Sequence, residues 1–328
     1  MVIPDKLRVG DEIRVVAPAR SLALPWISKE LQNIAKSRFQ ELGLKLTFSK
    51  NVMEINEFNS SSVQSRVEDL HEAFRDKNVR AIISVIGGYN SIEILPFLDY
   101  DLIKNNPKIL SGYSDITALQ NAIYAKTGLM TYSGPHYFDF GDLKGFDYTL
   151  DYFKKCLMQE DAYEIKPSEK WSNDKWGKDQ DNRKFYDNEG YAVINEGTCS
   201  GKIIGGNLCT LRLLQGTEFW PDLTNSILFI EDDSESHLDM FNRDLYSLSL
   251  NTQFKGVKGI IIGRFQPDSE VSLDSIKTIV GGNKALSRIP IVANADFGHT
   301  SPKITFPIGG EVRIIANVDS TKIEILKH

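Results

Sequence analysis

Apolar and polar positions along the first half of this chain change period block by block. Ile13-Arg14-Val15-Val16-Ala17 is a short apolar run stopped by Pro18, which predicts a first strand and turn. From Ser28 to Leu42 the apolar residues Leu31, Ala35 and Leu42 share one helical face, and Gly43 supplies the stop. Leu44-Lys45-Leu46-Thr47-Phe48 alternates as a strand does. Ser62 is placed to cap a helix that carries Val63, Val67, Leu70 and Phe74 on one side. Ala81-Ile82-Ile83-Ser84-Val85-Ile86 reads as a buried strand and runs into Gly87-Gly88. Lys108-Ile109-Leu110-Ser111-Gly112 is another strand, the run Ala118 to Ala125 a helix, and Leu129 to Tyr132 a further strand. Strands separated by amphipathic helices predict a parallel sheet covered on both faces, with ligands at the C-terminal strand ends. The Gly87-Gly88 and Ser114 turns fall at such ends.

The pattern then breaks. Residues 161–197 are polar, rich in Lys, Asp and Asn, and carry Trp171, Trp176, Phe185 and Tyr186. Two readings fit, a functional lid or a surface hairpin with its tryptophans packed beneath it. Beyond it, Gly201-Lys202-Ile203-Ile204-Gly205-Gly206-Asn207 opens a second half. Ser226–Ile230, Gly259–Gly263 and Ile289–Ala293 read there as buried strands. Glu311–Ala316 and Lys322–Leu326 alternate and are expected as antiparallel edge strands.

Composition narrows the class. A chain of 328 residues exceeds what one core normally supports, so two domains are expected. With 41% apolar and 25% charged residues it is ordinary for a globular protein, and its net charge of −6 argues against a nucleic-acid polymer as partner. No apolar run is long enough for a membrane span, and the first residues lack a secretion-signal pattern. Three cysteines without metal-ligand spacing fit reduced thiols and a cytoplasmic location.

The candidate chemistry centres on Ser114. Gly112 permits a tight turn after the strand, and Asp115 and Thr117 open the helix that follows. A serine on such a turn stands above the sheet beside N–H groups at a helix start, where negative charge is favoured. A nucleophilic serine and its oxyanion need that setting. The nucleophile elbow Gly-x-Ser-x-Gly is matched in part, since Ile116 stands where its second glycine would be. A Ser/Asp helix cap is the competing reading.

A serine nucleophile also needs a base held by a partner. Of five histidines, His71 lies in a charged helical pattern, His237 follows an acidic run, and His328 is last in the chain. His136 is a pocket candidate near the first sheet. His299 follows a buried strand directly, as a loop-borne base would, and is the one favoured. Glu231 ends an apolar strand and is positioned to orient His299. As a cluster, Glu231, Asp232, Asp233 and Glu235 also fit a solvated helix start or a hard-cation site, although their spacing matches no EF-hand loop. Gly87-Gly88-Tyr89-Asn90 is not a dinucleotide fingerprint; it would bring backbone N–H groups beside an oxyanion.

In this order, Val15-Val16-Ala17-Pro18, Gly87-Gly88-Tyr89-Asn90, Gly112-Tyr113-Ser114-Asp115-Ile116-Thr117, Gly205-Gly206-Asn207-Leu208, Phe229-Ile230-Glu231-Asp232 and Gly298-His299 resemble the LD-carboxypeptidase family of serine peptidases. The likeness covers essentially the whole chain. It implies a Ser–Glu–His triad of Ser114, Glu231 and His299. The N–H groups of Gly88 and Asp115 would form the oxyanion hole, and Asn207 would bind polar groups of the substrate. No cofactor or metal is implied. The implied fold is an N-terminal, flavodoxin-like α/β domain with a parallel sheet (residues 1–160), the aromatic segment (161–197), and a C-terminal β-rich α/β domain (198–328). The site would lie between the two domains of a subunit that pairs as a homodimer.

Ile165 to Trp171 and Asp174 to Trp176 resemble the subgroup that contains the microcin C immunity protein. That subgroup hydrolyses an amide linking a C-terminal amino acid to a modified nucleotide, and Trp171 or Trp176 would stack on the nucleobase. A murein tetrapeptide cut before its terminal D-alanine is the other implied substrate. A non-catalytic module that holds a nucleotide or sugar in the same cleft is the alternative from another class.

Overall fold

The computed structural model describes residues 1–328 and shows an α/β protein built on two large sheets. The first half contributes β1 (Glu12–Val16), α1 (Lys29–Glu41), β2 (Lys45–Phe48), α2 (Val63–Arg75), β3 (Val79–Ser84), α3 (Tyr100–Asn105), β4 (Ile109–Gly112), α4 (Ile116–Thr127), β5 (Thr131–Ser133) and α5 (Asp147–Leu157). Ser28 and Ser62 cap α1 and α2 by accepting from Leu31 N and Ser65 N. Strands β1 to β5 are parallel to their neighbours, as the apolar runs predict.

The remainder contributes β6 (Tyr163–Ile165), the short hairpin β7 (Lys170–Trp171) and β8 (Tyr186–Asp187), then β9 (Ala192–Asn195), β10 (Gly197–Asn207), α6 (Leu208–Arg212), β11 (Ser226–Glu231) and α7 (Leu238–Ser249). It closes with β12 (Val257–Gly263), α8 (Leu273–Gly281), β13 (Ile291–Ala295), β14 (Phe306–Ile308), β15 (Glu311–Ala316) and β16 (Lys322–Lys327). The second sheet runs β6-β16-β15-β10-β11-β12-β13-β9. Strands β10 to β13 are parallel, and antiparallel strands flank them on both sides.

Two expectations change. Strands β15 and β16 are antiparallel but not edges, because β6 adds beyond β16. Nor does the chain divide at the 161–197 segment alone. Strand β14, from the last part of the sequence, pairs with β5 and becomes the edge of the first sheet. There Phe306 packs on Phe229 of β11 and on Phe297, with ring centroids 4.9 and 5.2 Å apart. One apolar core therefore runs through both sheets, from Ile13 and Val15 to Phe229 and Ile261.

Helix α4 fills the seam. It is apolar nearly all round and buried from Ile116 to Ile123, as a helix enclosed on every side must be. Its polar pair Thr117 and Asn121, one turn apart, docks it on β10. Thr117 Oγ1 accepts from Asn207 N at 2.9 Å, and Asn121 Nδ2 donates to Gly205 O at 2.8 Å. The helix that begins at the serine turn is thus bolted to the strand beside β11, which ends in Glu231.

Candidate active site

The cleft forms where strands of both sheets end. It encloses about 270 Å³ between Arg20, Ile86, Gly87, Gly88 and Tyr89 on one side and Asp233, Ser234, Glu235, Gln266 and His299 on the other, with Tyr113, Ser114 and His136 at its base. A larger hollow of about 800 Å³ lies along the outer face of α2, and neither Ser114 nor His299 lines it.

Ser114 follows β4 and precedes α4, and it carries the backbone irregularity of the turn itself, with φ +58°. A non-glycine residue there is strained, and such strain clusters at sites where a side chain must be aimed. The tight turn expected of Gly112 thus falls on Ser114 instead. The helix-cap reading fails as well. Asp115 occupies the N-cap position of α4 without a side-chain cap bond. Its carboxylate accepts from the N–H groups of Asn90 and Ser91 at 3.0 and 2.9 Å, while Ser91 Oγ donates to its carbonyl at 2.6 Å. These bonds tie the Gly87-Gly88-Tyr89-Asn90 turn to the serine turn.

Gly87 lies against the serine. A Cβ there would fall 2.9 Å from Ser114 Cβ and 3.0 Å from its Oγ, so only glycine lets the two turns meet. The Gly87 carbonyl accepts from Arg20 N at 3.3 Å. A trans peptide points the next N–H the opposite way, so the Gly88 N–H is turned from Arg20 N. Neither the Gly88 nor the Asp115 N–H finds an acceptor within the chain.

His299 bridges the two walls. Its Nε2 is 3.0 Å from Ser114 Oγ and its Nδ1 is 2.8 Å from Glu231 Oε2. With the carboxylate as acceptor, Nδ1 carries the proton and Nε2 is free to accept from the serine hydroxyl. Glu231 is buried at the end of β11. Gly298, at φ +103°, passes so close that a Cβ would sit 2.5 Å from Glu231 Oε2. Burial pulls the His299 pKa down. The attraction and hydrogen bond of Glu231, helped by Asp233, outweigh that and hold it above the ordinary histidine value, with Lys303 opposing. Asp233 Oδ2 lies 4.0 Å from Nε2.

His136, a pocket candidate in the sequence, does line the cleft, with its ring 4.3 Å from that of Tyr113. Burial lowers its pKa to about 3, so it is neutral at ordinary pH. Its Nδ1 sits 2.7 Å from Ser84 Oγ, and its Nε2 has no partner.

The three expected substrate contacts lie in three different settings. Asn207 is buried and spent on structure, because its Oδ1 caps α6 at Thr210 N and its Nδ2 donates to Asp232 Oδ1 at 3.1 Å. Trp171 lies outside the cleft, packed on Tyr186 and under the Arg264 guanidinium at 5.0 Å. Trp176 stacks on Phe138 at 4.6 Å and lines a second hollow of about 370 Å³ with Trp26, Lys175 and Lys178. His136 lines the cleft and Phe138, two residues on, lines that hollow. Conversely, Arg20 and Gln266 line the cleft with no signal of chemistry in the sequence, and Tyr89 and Asp233 line it where the sequence marked only a glycine turn and an acidic cluster. The sequence signal the four share is position, each lying just beyond an apolar strand run.

The model of the LD-carboxypeptidase N-terminal domain matches residues 13–134, and that of the C-terminal domain matches residues 200–314. YocD of Bacillus subtilis, which carries a carboxypeptidase name, is 54% identical over 98% of this chain and 99% of its own. The microcin C7 self-immunity protein MccF of Escherichia coli is 35% identical over 90% of this chain and 89% of its own. The crystal structure of an MccF-like protein from Bacillus anthracis superposes with a TM-score of 0.98 at 52% identity, covering all of both chains. MccF in complex with aspartyl sulfamoyl adenosine superposes at 0.90 with 32% identity, covering 100% of this chain and 99% of that one. No helix is long and apolar enough to cross a membrane. With both domain models matched in order, the chain belongs to the LD-carboxypeptidase family of serine hydrolases, in its MccF-like branch.

Proposed function

We propose that this enzyme hydrolyses the amide bond of an aminoacyl or peptidyl nucleotide of the microcin C type, with Ser114, His299 and Glu231 as its catalytic triad. The continuous line of hydrogen-bond distances from Ser114 Oγ through the imidazole to Glu231 carries the reading. His299 Nε2 takes the hydroxyl proton as Ser114 Oγ attacks the scissile carbonyl. The resulting oxyanion is received by the free N–H groups of Gly88 and Asp115, the second at the positive end of α4. His299 then gives the proton to the leaving nitrogen. A water activated by the same imidazole releases the acyl group, and Glu231 holds the imidazolium throughout.

The nucleotide is favoured by the second hollow, whose Phe138 lies two residues from His136 of the cleft. Trp176, Trp26 and Phe138 give it aromatic walls, and Lys175 and Lys178 give it positive charge, while its one carboxylate, Asp174, is paired with Arg183. A nucleobase stacked there would leave its acyl end at Ser114. The MccF structure with aspartyl sulfamoyl adenosine supports the same class of ligand. This function belongs in the cytoplasm, where aminoacyl nucleotides are met, and we expect the subunit to act as a homodimer.

The LD-carboxypeptidase name of both domain models, with a 30% identical Bacillus subtilis relative named for murein peptides, favours a second reading, removal of the terminal D-alanine from a murein tetrapeptide. The purified protein is assayed on alanyl sulfamoyl adenosine and on the tetrapeptide, with a serine-reactive phosphonate as label. Release of the nucleotide amine together with labelling at Ser114 is the expected result. Cleavage of the tetrapeptide alone moves the assignment to murein. Ligand binding with neither turnover nor labelling makes the protein a binding module.

A further inference from the structure

We propose that Arg20 is the receptor for an anionic group that the substrate carries beside its scissile amide; this rests on the hydrolase reading above. Arg20 is the only Lys or Arg among the residues that line the cleft. Its stem lies on the Gly88 turn, where a Cβ on Gly88 would meet Arg20 Cγ at 3.1 Å. Arg20, Gly88 and Ser114 thereby line the same cleft. The guanidinium stands 5.0 Å over the ring of Tyr89. Arg14, Arg66, Arg183, Arg212 and Arg264 are each held by a carboxylate, but Arg20 enters no ion pair and no side-chain hydrogen bond. A guanidinium with a full set of unused donors, stacked on an aromatic face, is preorganised for an oxyacid.

The opposite wall makes the recognition directional. Asp233 and Glu235 both line the cleft, and Glu235 Oε1 accepts from Tyr89 Oη at 2.5 Å. A substrate anion is repelled from the His299 side and drawn to the Gly88 side, which fixes which way the amide lies across Ser114. Two groups share the required chemistry, the terminal α-carboxylate of a peptide and the acidic acyl-sulfamate or acyl-phosphoramidate linkage of an aminoacyl nucleotide.

Arg20→Gln is compared with the unsubstituted enzyme on two matched pairs. One is the murein tetrapeptide and its C-terminal carboxamide. The other is alanyl sulfamoyl adenosine and its N-methylated, uncharged counterpart. The expected result is a loss of about 10- to 100-fold in kcat/KM on the charged member of one pair, carried mainly by KM. The loss on its uncharged partner is at least tenfold smaller, and Arg20→Lys recovers part of the difference. The pair that responds identifies the anion. Equal losses on both members, or none on either, overturn the proposal. If the unsubstituted enzyme cleaves none of the four compounds, the hydrolase reading fails separately. Calorimetry on Ser114→Ala protein then decides for Arg20, because adding Arg20→Gln must lower affinity for the charged member of a pair only.

Discussion

The two walls of the cleft are made of different material. The first sheet offers mainly backbone: a glycine pair packed on the serine, two unengaged N–H groups, and a helix start behind them. The second sheet offers mainly charge: Glu231, Asp233, Glu235 and the imidazole that Glu231 holds. Backbone groups sit where the chain path puts them and do not titrate. Charged side chains titrate, and their protonation depends on their neighbours. One wall therefore sets position and the other sets protonation, and each fails in its own way when altered.

The largest effect is expected where the walls meet. Ser114→Ala should lower kcat by about 10⁵- to 10⁶-fold, measured by product release, with an unchanged circular-dichroism spectrum. Ser114→Gly should be as inactive. It should also be about 1 kcal/mol more stable than the alanine variant in urea unfolding, because glycine accepts the positive φ without strain. Equal stability of the two would mean that the turn relaxes without the serine.

Next comes the charged wall. Glu231→Gln should cost about 10³- to 10⁴-fold in kcat and move the pH profile. The base must be neutral to act, so kcat/KM falls as pH drops through the His299 pKa. With that pKa raised, the acid limb lies above about 6.5 in the unsubstituted enzyme. Loss of the Glu231 charge should shift the limb to lower pH. A limb that stays in place would remove Glu231 as the source of the raised value.

The backbone wall should give the opposite signature. Gly87→Ala drives a methyl group against Ser114 Cβ and Oγ and should cost about 10²-fold in kcat, with the acid limb unmoved. A shifted limb would blur the division between the walls. The smallest effect is expected farthest out. Trp176→Ala should raise KM for the nucleotide substrate about tenfold and leave the tetrapeptide unaffected. Trp171→Ala should change neither KM.

The same contrast explains what could be read from the sequence. The parallel strands of the first sheet were legible because each is a mainly apolar or alternating run, several of them ended by a glycine or proline. Ser114, Glu231 and His299 stood out because each closely follows such a run and is chemically unlike it. Asn207 and Trp171 have the right chemistry for a ligand, but their partners, Asp232 and Arg264, come from distant segments, and nothing local encodes that pairing. Strand β6 is three residues long, too short to register as a pattern, so β16 looked like an edge. The role of β14 was hidden for the same reason.

That short strand constrains how the enzyme can move. The loop that carries His299 leaves the second sheet at β13 and enters the first sheet at β14, next to β5 and one strand from the β4 that leads to Ser114. The base is moored to both lobes at once. Opening the lobes as a clam shell opens would strip β14 from β5 and lift Phe306 off Phe229, so wide domain gating is closed to this molecule. Traffic in and out must depend on side chains at the rim. The Tyr89–Glu235 contact, which spans the mouth from one lobe to the other, is the natural doorway.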